Sequence, residues 1–211
     1  MAPKIALKRL GLTDYEEALE FQRSLHKEVS ESTRPNTLVL LEHPPVFTAG
    51  RRTLPHELPT DGSKVIDVDR GGKITFHGPG QLVGYPIVRL KNSNDVVGFV
   101  REIETALIRV CEYFDIKAER YCERSGVWVR DAKGDRKIAA IGIRVAKGVT
   151  MHGFAINVDP DLSYFDRIVP CGIADAAVTS MRNELGRQID ISEVSPIVER
   201  EIYEALSRVS S

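Results

Sequence analysis

Apolar residues recur along this chain at two spacings. Between Asp95 and Phe114 they fall at 96, 99, 100, 103, 107, 110, 111 and 114, which places them on one helical face and predicts the clearest helix of the chain. Cys111 lies inside that stripe and reads as a core filler. Thr13-Asp-Tyr-Glu16 has the form of a capping box, with Thr13 as the cap and Glu16 three residues on. The helix it opens is expected to run to about Ser30, with Tyr15, Ala18, Leu19, Leu25 and Val29 near one face. A last helix is expected from about Ser192 to Val209. Thr37 to Glu42 reads as a continuous apolar strand. Lys64 to Asp69 and Lys73 to Phe76 alternate like paired strands around Gly71-Gly72, and Leu82 to Leu90 reads as another strand. Further strands are expected at about 126–130, 136–146 and 149–158, with turns at Ala132-Lys-Gly-Asp and Lys147-Gly. His43-Pro-Pro-Val-Phe-Thr-Ala-Gly-Arg-Arg is expected to be a loop, because paired prolines break both helix and sheet. Strands in series, with helices before, between and after, predict an α+β sandwich on a mixed or largely antiparallel sheet.

The chain shows no repeat, linker or low-complexity segment, and 211 residues suit one domain spanning 1–211. Its net charge of −1 argues against nucleic acid, which usually requires a basic face. No apolar run approaches the roughly 20 residues of a membrane span. Met1-Ala-Pro-Lys-Ile-Ala-Leu-Lys lacks the long apolar core of a signal peptide, so a cytoplasmic location is expected. Three cysteines form no disulfide framework. The chain holds no Cys-x-x-Cys or His-x-x-x-His pair, so no metal is expected. A zinc site would have to be assembled from His43, His77 and Cys171.

The segment Arg70 to Pro86 holds five glycines and two prolines around Arg70, Thr75, His77 and Gln81. Glycine lets backbone approach a ligand without an intervening Cβ, so the segment reads as a ligand-lining loop, with plain structural turns as the alternative. Cys171 sits between Pro170 and Gly172, outside any amphipathic stripe, and a short helical segment could begin near Ala174. A cysteine at such a start faces backbone N–H groups that favour thiolate. Cys122 lies in a polar stretch with nothing adjacent that supports catalysis. Lys137 opens the apolar run to Val145, a place where lysines are normally solvated. Ala140, Ile141 and Gly142, like Gly153, Phe154 and Ala155, read by themselves as core packing. His152 reads as a satisfied strand histidine.

The order Arg70-Gly-Gly-x-x-Thr-x-His-Gly-Pro-Gly-Gln81 resembles the signature of the lipoyl(octanoyl) transferases. Lys137-Ile-Ala-Ala-Ile-Gly-Ile-Arg-Val with Met151-His-Gly-Phe-Ala-Ile-Asn-Val, and Val169-Pro-Cys-Gly-Ile-Ala-Asp-Ala-Ala-Val-Thr-Ser, match that family in the same order. The resemblance runs from about Leu38 to Gly186. It implies the biotin and lipoate protein ligase fold, with Cys171 as acyl-accepting nucleophile and Lys137 as its activator. Arg70, Gly71, Gly72, Lys73, Ile74, Thr75, Phe76 and His77 would line the substrate pocket. Ala140, Ile141 and Gly142 would join them, with Gly153, Phe154 and Ala155.

The implied reaction passes an octanoyl group from octanoyl-acyl carrier protein through a cysteine thioester to the lysine of a lipoyl domain. Lipoyl domains of 2-oxoacid dehydrogenase E2 subunits and the glycine cleavage H protein would be the acceptors, with no cofactor, nucleic acid or membrane. Arg51, Arg52, Arg70, Lys73, Arg144 and Lys147 would form a basic rim for an acidic carrier. An ATP-dependent lipoate or biotin ligase of the same fold is the alternative, and a catalytically silent carrier-binding module is another.

Overall fold

The computed structural model of the protein describes residues 5–121, 124–168 and 177–211. Cys122, Ala174 and Cys171 with its Val-Pro-Cys-Gly surroundings lie outside the described residues. The elements follow in order as β1 Ala6–Leu12, α1 Tyr15–Ser30, β2 Thr37–Glu42, β3 Val46–Ala49, β4 Val65–Asp67, β5 Thr75–His77 and β6 Gln81–Ile87. Then come α2 Val96–Tyr113, β7 Glu119–Tyr121, β8 Arg124–Asp131, β9 Gly134–Ala146, β10 Val149–Asn157, β11 Ala177–Val178, α3 Met181–Leu185 and α4 Ile191–Val209.

The large sheet runs β1-β2-β6-β10-β9-β8-β7, with β11 pairing beside β9. β1–β2 and β11–β9 are parallel, and the other pairs are antiparallel. Side-chain alternation splits the core accordingly. Leu82, Phe154 and Ile156 pack with Phe99, Ile103 and Leu107 of α2 and with Val198 and Ile202 of α4. Val83, Tyr85 and Ala155 face the other way and pack with Tyr15, Leu19 and Leu25 of α1. This is the expected α+β arrangement with its largely antiparallel sheet. No helix among the described residues is long and apolar enough to cross a membrane.

Three local expectations change. The cap of α1 is Asp14, whose carboxylate accepts from the N–H groups of Glu16 and Glu17, while the Thr13 hydroxyl donates to Leu10 O. The segment after His43-Pro-Pro is not all loop, because Val46–Ala49 becomes β3, the centre of a second sheet ordered β4-β3-β5. The 64–69 and 73–76 strands therefore do not pair with each other. Both pair with β3, β4 in parallel and β5 antiparallel, and the Arg-Gly-Gly loop crosses between them. After Cys171 the described chain resumes as a strand, β11, and the helix that follows is α3, capped by Ser180.

Candidate active site

A cavity of about 320 Å³ lies beside β6, β9 and β10, roofed by the 70–77 segment and by Tyr15 at the start of α1. The backbone of β9 decides which side chains reach it. Val127 pairs with Ala139 and Trp128 with Lys137, so Ile138 is an extra residue in β9. Such a bulge re-aims the side chains beyond it. Ile138 and Ala139 both join the core under the helices, and Lys137 comes out on the cavity side with Ala140 and Gly142.

Lys137 is 9% exposed, and its Nζ lies 4.6 Å from the centre of the Trp128 indole ring. Gly126 bends β8 around it with φ +114°, where a Cβ would stand 2.5 Å from Ala139 O and 3.4 Å from Lys137 Cε. The Gly126 N–H donates to Glu104 Oε1 at 2.9 Å. That carboxylate is fully buried and paired with Arg101 and Arg120. β11 runs along the other side of β9, with Val178 opposite Lys137 and the Thr179 N–H donating to Lys137 O at 2.9 Å.

Across the cavity, Arg70 is only 7% exposed. Its guanidinium donates to Thr48 O (2.8 Å), Thr48 Oγ1 (2.9 Å), Lys73 O (2.9 Å) and Gly71 O (3.1 Å). The Gly71 N–H donates to Ile143 O at 3.1 Å, which docks the loop on β9. Arg70 is thus the pin of this loop. A Cβ on Gly142 would lie 2.9 Å from Arg70 Cδ and 3.0 Å from Gly71 O, so the close approach needs glycine there.

The cavity wall brings together most of the residues expected from sequence. Arg70, Gly72, Lys73, Ile74, Thr75 and His77 contribute from the roof. Ala140, Ile141 and Gly142, then Gly153, Phe154 and Ala155, contribute from the sheet. Two expected residues do not reach it. Gly71 turns its backbone to β9, and Phe76 packs away among Phe47, Tyr164 and Phe165 because β5 alternates.

The basic rim also shrinks. Arg70 is buried, Lys73 is paired with Glu57 and Arg144 with Asp69. Arg51, Arg52 and Lys147 stay exposed. Arg52 and Arg124 both border the cavity, and Arg124 stacks on the Tyr121 ring.

Several polar groups that the sequence did not assign to the site line the same space. Tyr15, Tyr85 and His152 are wall residues. His43 Nδ1 donates to Thr13 O at 2.7 Å, so its Nε2 accepts from the Tyr85 hydroxyl at 2.7 Å. With both nitrogens engaged, His43 has no lone pair left for the zinc set of His43, His77 and Cys171. Burial pushes the His77 imidazole down to about 3, helped by neighbouring His43. Burial also lowers His43 and His152, against the hydrogen bonds to Thr13 O and Asp69 that favour their charged forms. Burial pushes the Tyr15 hydroxyl up to about 12 and Tyr85 well above its ordinary value.

His152 departs furthest from expectation. Its φ of +58° is unusual inside a strand, and its Nε2 donates to Asp69 Oδ1 at 2.8 Å. Its buried Nδ1 has no hydrogen-bond partner among the described residues. Asp69 and Arg144, the groups that orient it, are far away in sequence, so no local pattern announces the cluster. Trp128 was equally hidden, as an apolar residue in an apolar strand.

Residues 14–203 match the family described as the lipoyl protein ligase A/B catalytic domain. The chain is 57% identical over 202 residues to an octanoyltransferase of Salinispora tropica, covering 95% of each chain. The lipoate-bound LipL1 of P. falciparum superimposes with a TM-score of 0.73 at 14% identity, over 97% of this chain and 63% of that one. An ATP-bound lipoate-protein ligase A gives 0.70 at 16% identity, over 98% and 86%. At such identities these two structures establish the shared fold alone.

Proposed function

The chain belongs to the lipoyl protein ligase A/B catalytic-domain family, and from that premise we propose that it is an octanoyltransferase acting in lipoate synthesis on protein. Residues 1–211 act in this reading as one catalytic domain. The observation that carries it is the bulge in β9, which turns Lys137 into a largely apolar-floored cavity beside the strand that follows Cys171. Ala177, paired beside Lys137's strand, is six residues after Cys171, a span of at most about 20 Å.

In this mechanism the Cys171 thiolate attacks the octanoyl thioester of acyl carrier protein. A C–S bond forms to the enzyme, and the carrier thiol leaves with the proton. The acceptor amine of a lipoyl domain, on an E2 subunit or the glycine cleavage H protein, then attacks the enzyme thioester and leaves as an amide. Conversion of thioester to amide is downhill and draws on no nucleotide. Thiolate formation is only part of the rate. A cysteine at about 8.5 is about 3% thiolate at pH 7, and lowering it by two units raises that about 25-fold. Intrinsic nucleophilicity falls about 6- to 10-fold at the same time. Positioning supplies the rest. The 140–142 and 153–155 backbones would flank the alkyl chain, and the 70–77 roof would exclude water from it.

Intact mass after mixing with octanoyl-acyl carrier protein tests the reading. A hydroxylamine-labile octanoyl adduct is expected on the wild type and not on Cys171→Ser. A folded protein that forms no adduct but consumes ATP in the presence of octanoate or lipoate would be a ligase instead.

A further inference from the structure

His77 is held in one tautomer. The Gln81 amide nitrogen donates to Asn157 Oδ1 (2.8 Å) and Phe76 O (3.2 Å), which turns Gln81 Oε1 onto His77 Nδ1 at 2.6 Å. An amide oxygen only accepts, so Nδ1 carries the proton and Nε2 keeps a bare lone pair. The ring stacks on Tyr15 with centroids 6.0 Å apart and meets His43 edge-on at 5.7 Å. It lines the cavity, and Nε2 has no hydrogen-bond partner among the described residues.

The clamp continues toward the catalytic segment. Asn157 Nδ2 donates to Thr179 O at 2.9 Å, and the Thr179 N–H donates to Lys137 O. Gln81, Asn157 and Thr179 are all buried. A chain of buried hydrogen bonds therefore links the His77 ring to the strand of Lys137 and to the β11 segment after Cys171.

We propose that the His77 Nε2 lone pair receives an N–H of the acceptor lysine amine during the second half-reaction, and that Gln81 is the positioning residue that keeps His77 in this tautomer. The proposal rests on the cysteine-dependent octanoyltransferase reading. Its chemistry follows from which reactant carries a donor. The octanoyl chain has no polar hydrogen, and its thioester carbonyl only accepts. The incoming amine brings N–H bonds, so a neutral acceptor in the wall serves the amine.

By holding one N–H, His77 would aim the nitrogen lone pair at the thioester carbon. The C–N bond then forms as the C–S bond breaks. The Cys171 sulfur leaves with the electron pair and, in the net reaction, with the proton the amine loses. His77 takes no proton itself, in keeping with an imidazole that burial keeps neutral.

Single-turnover kinetics separate the two steps. Acylation is followed by mass with octanoyl-acyl carrier protein, and transfer by mixing the isolated octanoyl-enzyme with a lipoyl domain. His77→Asn and Gln81→Leu are expected to slow transfer at least 10-fold more than they slow acylation. Gln81→Glu, which still accepts from Nδ1 but loses the amide donor to Asn157 Oδ1 and Phe76 O, is expected to recover transfer in part, to about 5-fold above Gln81→Leu. If His77→Asn fails to fold, the Gln81 pair carries the test. Equal losses in both steps, or a Gln81→Glu variant as slow in transfer as Gln81→Leu, would overturn the proposal. A wild type that forms no octanoyl-enzyme would instead sink the thioester reading beneath it.

Discussion

Trp128 stands directly opposite Lys137 in the β8–β9 pair, and the lysine Nζ lies 4.6 Å from the centre of its indole ring. The contact depends on two irregularities in adjacent strands: the extra residue Ile138, and the positive φ of Gly126 that leaves room for the lysine stem. A cation over a desolvated indole gains about 1–2 kcal/mol, and the same face restricts where the ammonium can go. Trp128→Leu is therefore expected to slow formation of the octanoyl-enzyme roughly 5- to 30-fold. Trp128→Phe, which keeps a ring face, should stay within about 3-fold. Burst kinetics on both variants, with melting curves to exclude unfolding, check this. Equal loss in the two would show that volume matters and the aromatic face does not.

Gly142 and Arg70 form the second close contact of the site. Adding a Cβ at 142 meets Arg70 Cδ at 2.9 Å and Gly71 O at 3.0 Å. Neither atom yields easily, since the guanidinium is tied to backbone at several points and the loop is bonded to Ile143 O. Gly142→Ala should lift the 70–73 roof and cost about 1–3 kcal/mol, the usual scale of overpacking. The loss of acyl transfer should exceed the loss of stability. Urea titration alongside the acylation rate tests this, and a variant with wild-type acylation would show the roof to be irrelevant to the chain pocket.

Arg70→Lys separates an anchor from a docking charge. Lysine preserves the positive charge but not the planar fork that reaches Thr48, Gly71 and Lys73 together. Leaving buried carbonyls unpaired costs about 1–3 kcal/mol each, so the variant should melt several degrees lower and lose activity equally at low and high salt. A variant with wild-type melting and activity at low salt would instead restore Arg70 to the carrier-binding rim, since lysine keeps the charge that docking needs and salt would screen it.

The parts of this site that share a local sequence pattern were legible, and the parts assembled across the fold were not. The helical stripe of 96–114 and the long strands of 124–157 follow from side-chain period. The Arg-Gly-Gly-x-x-Thr-x-His segment follows from its density of glycine beside polar groups. β3 was hidden because Pro44-Pro45 marks a break, and the strand starts immediately after it, at Val46. Its partners are β4 and β5, so neither local alternation nor the Gly-Gly turn identifies the pairing. His152 shows the same limit at the level of one residue. Its strand pattern predicts a buried histidine, but its bond to Asp69 and the Arg144 beside it depend on a loop that only tertiary structure places there.

The buried histidines also set the acid stability of the fold. His77 titrates in the folded protein at about 3, against about 6.5 in an unfolded chain. Below pH 6.5 the unfolded state therefore binds a proton that the folded state refuses. The sign follows directly: this contribution is complete above about 6.5 and is lost as pH falls toward the folded value, at about 1.4 kcal/mol per pH unit for one histidine. Between pH 7 and pH 5, His77 alone should remove about 2 kcal/mol, and His43 and His152, lowered by burial, act in the same direction. Asp69 does not contribute in that window. Burial raises its carboxyl, but the His152 hydrogen bond and the His152 and Arg144 charges outweigh it and leave the group lowered, so its stabilisation is lost only at pH values below the ordinary carboxylate range. Urea midpoints at pH 7 and pH 5 should separate clearly for the wild type. His77→Phe should narrow that separation by about 2 kcal/mol, and an unchanged separation would mean that the His77 ring accepts a proton in the folded protein after all.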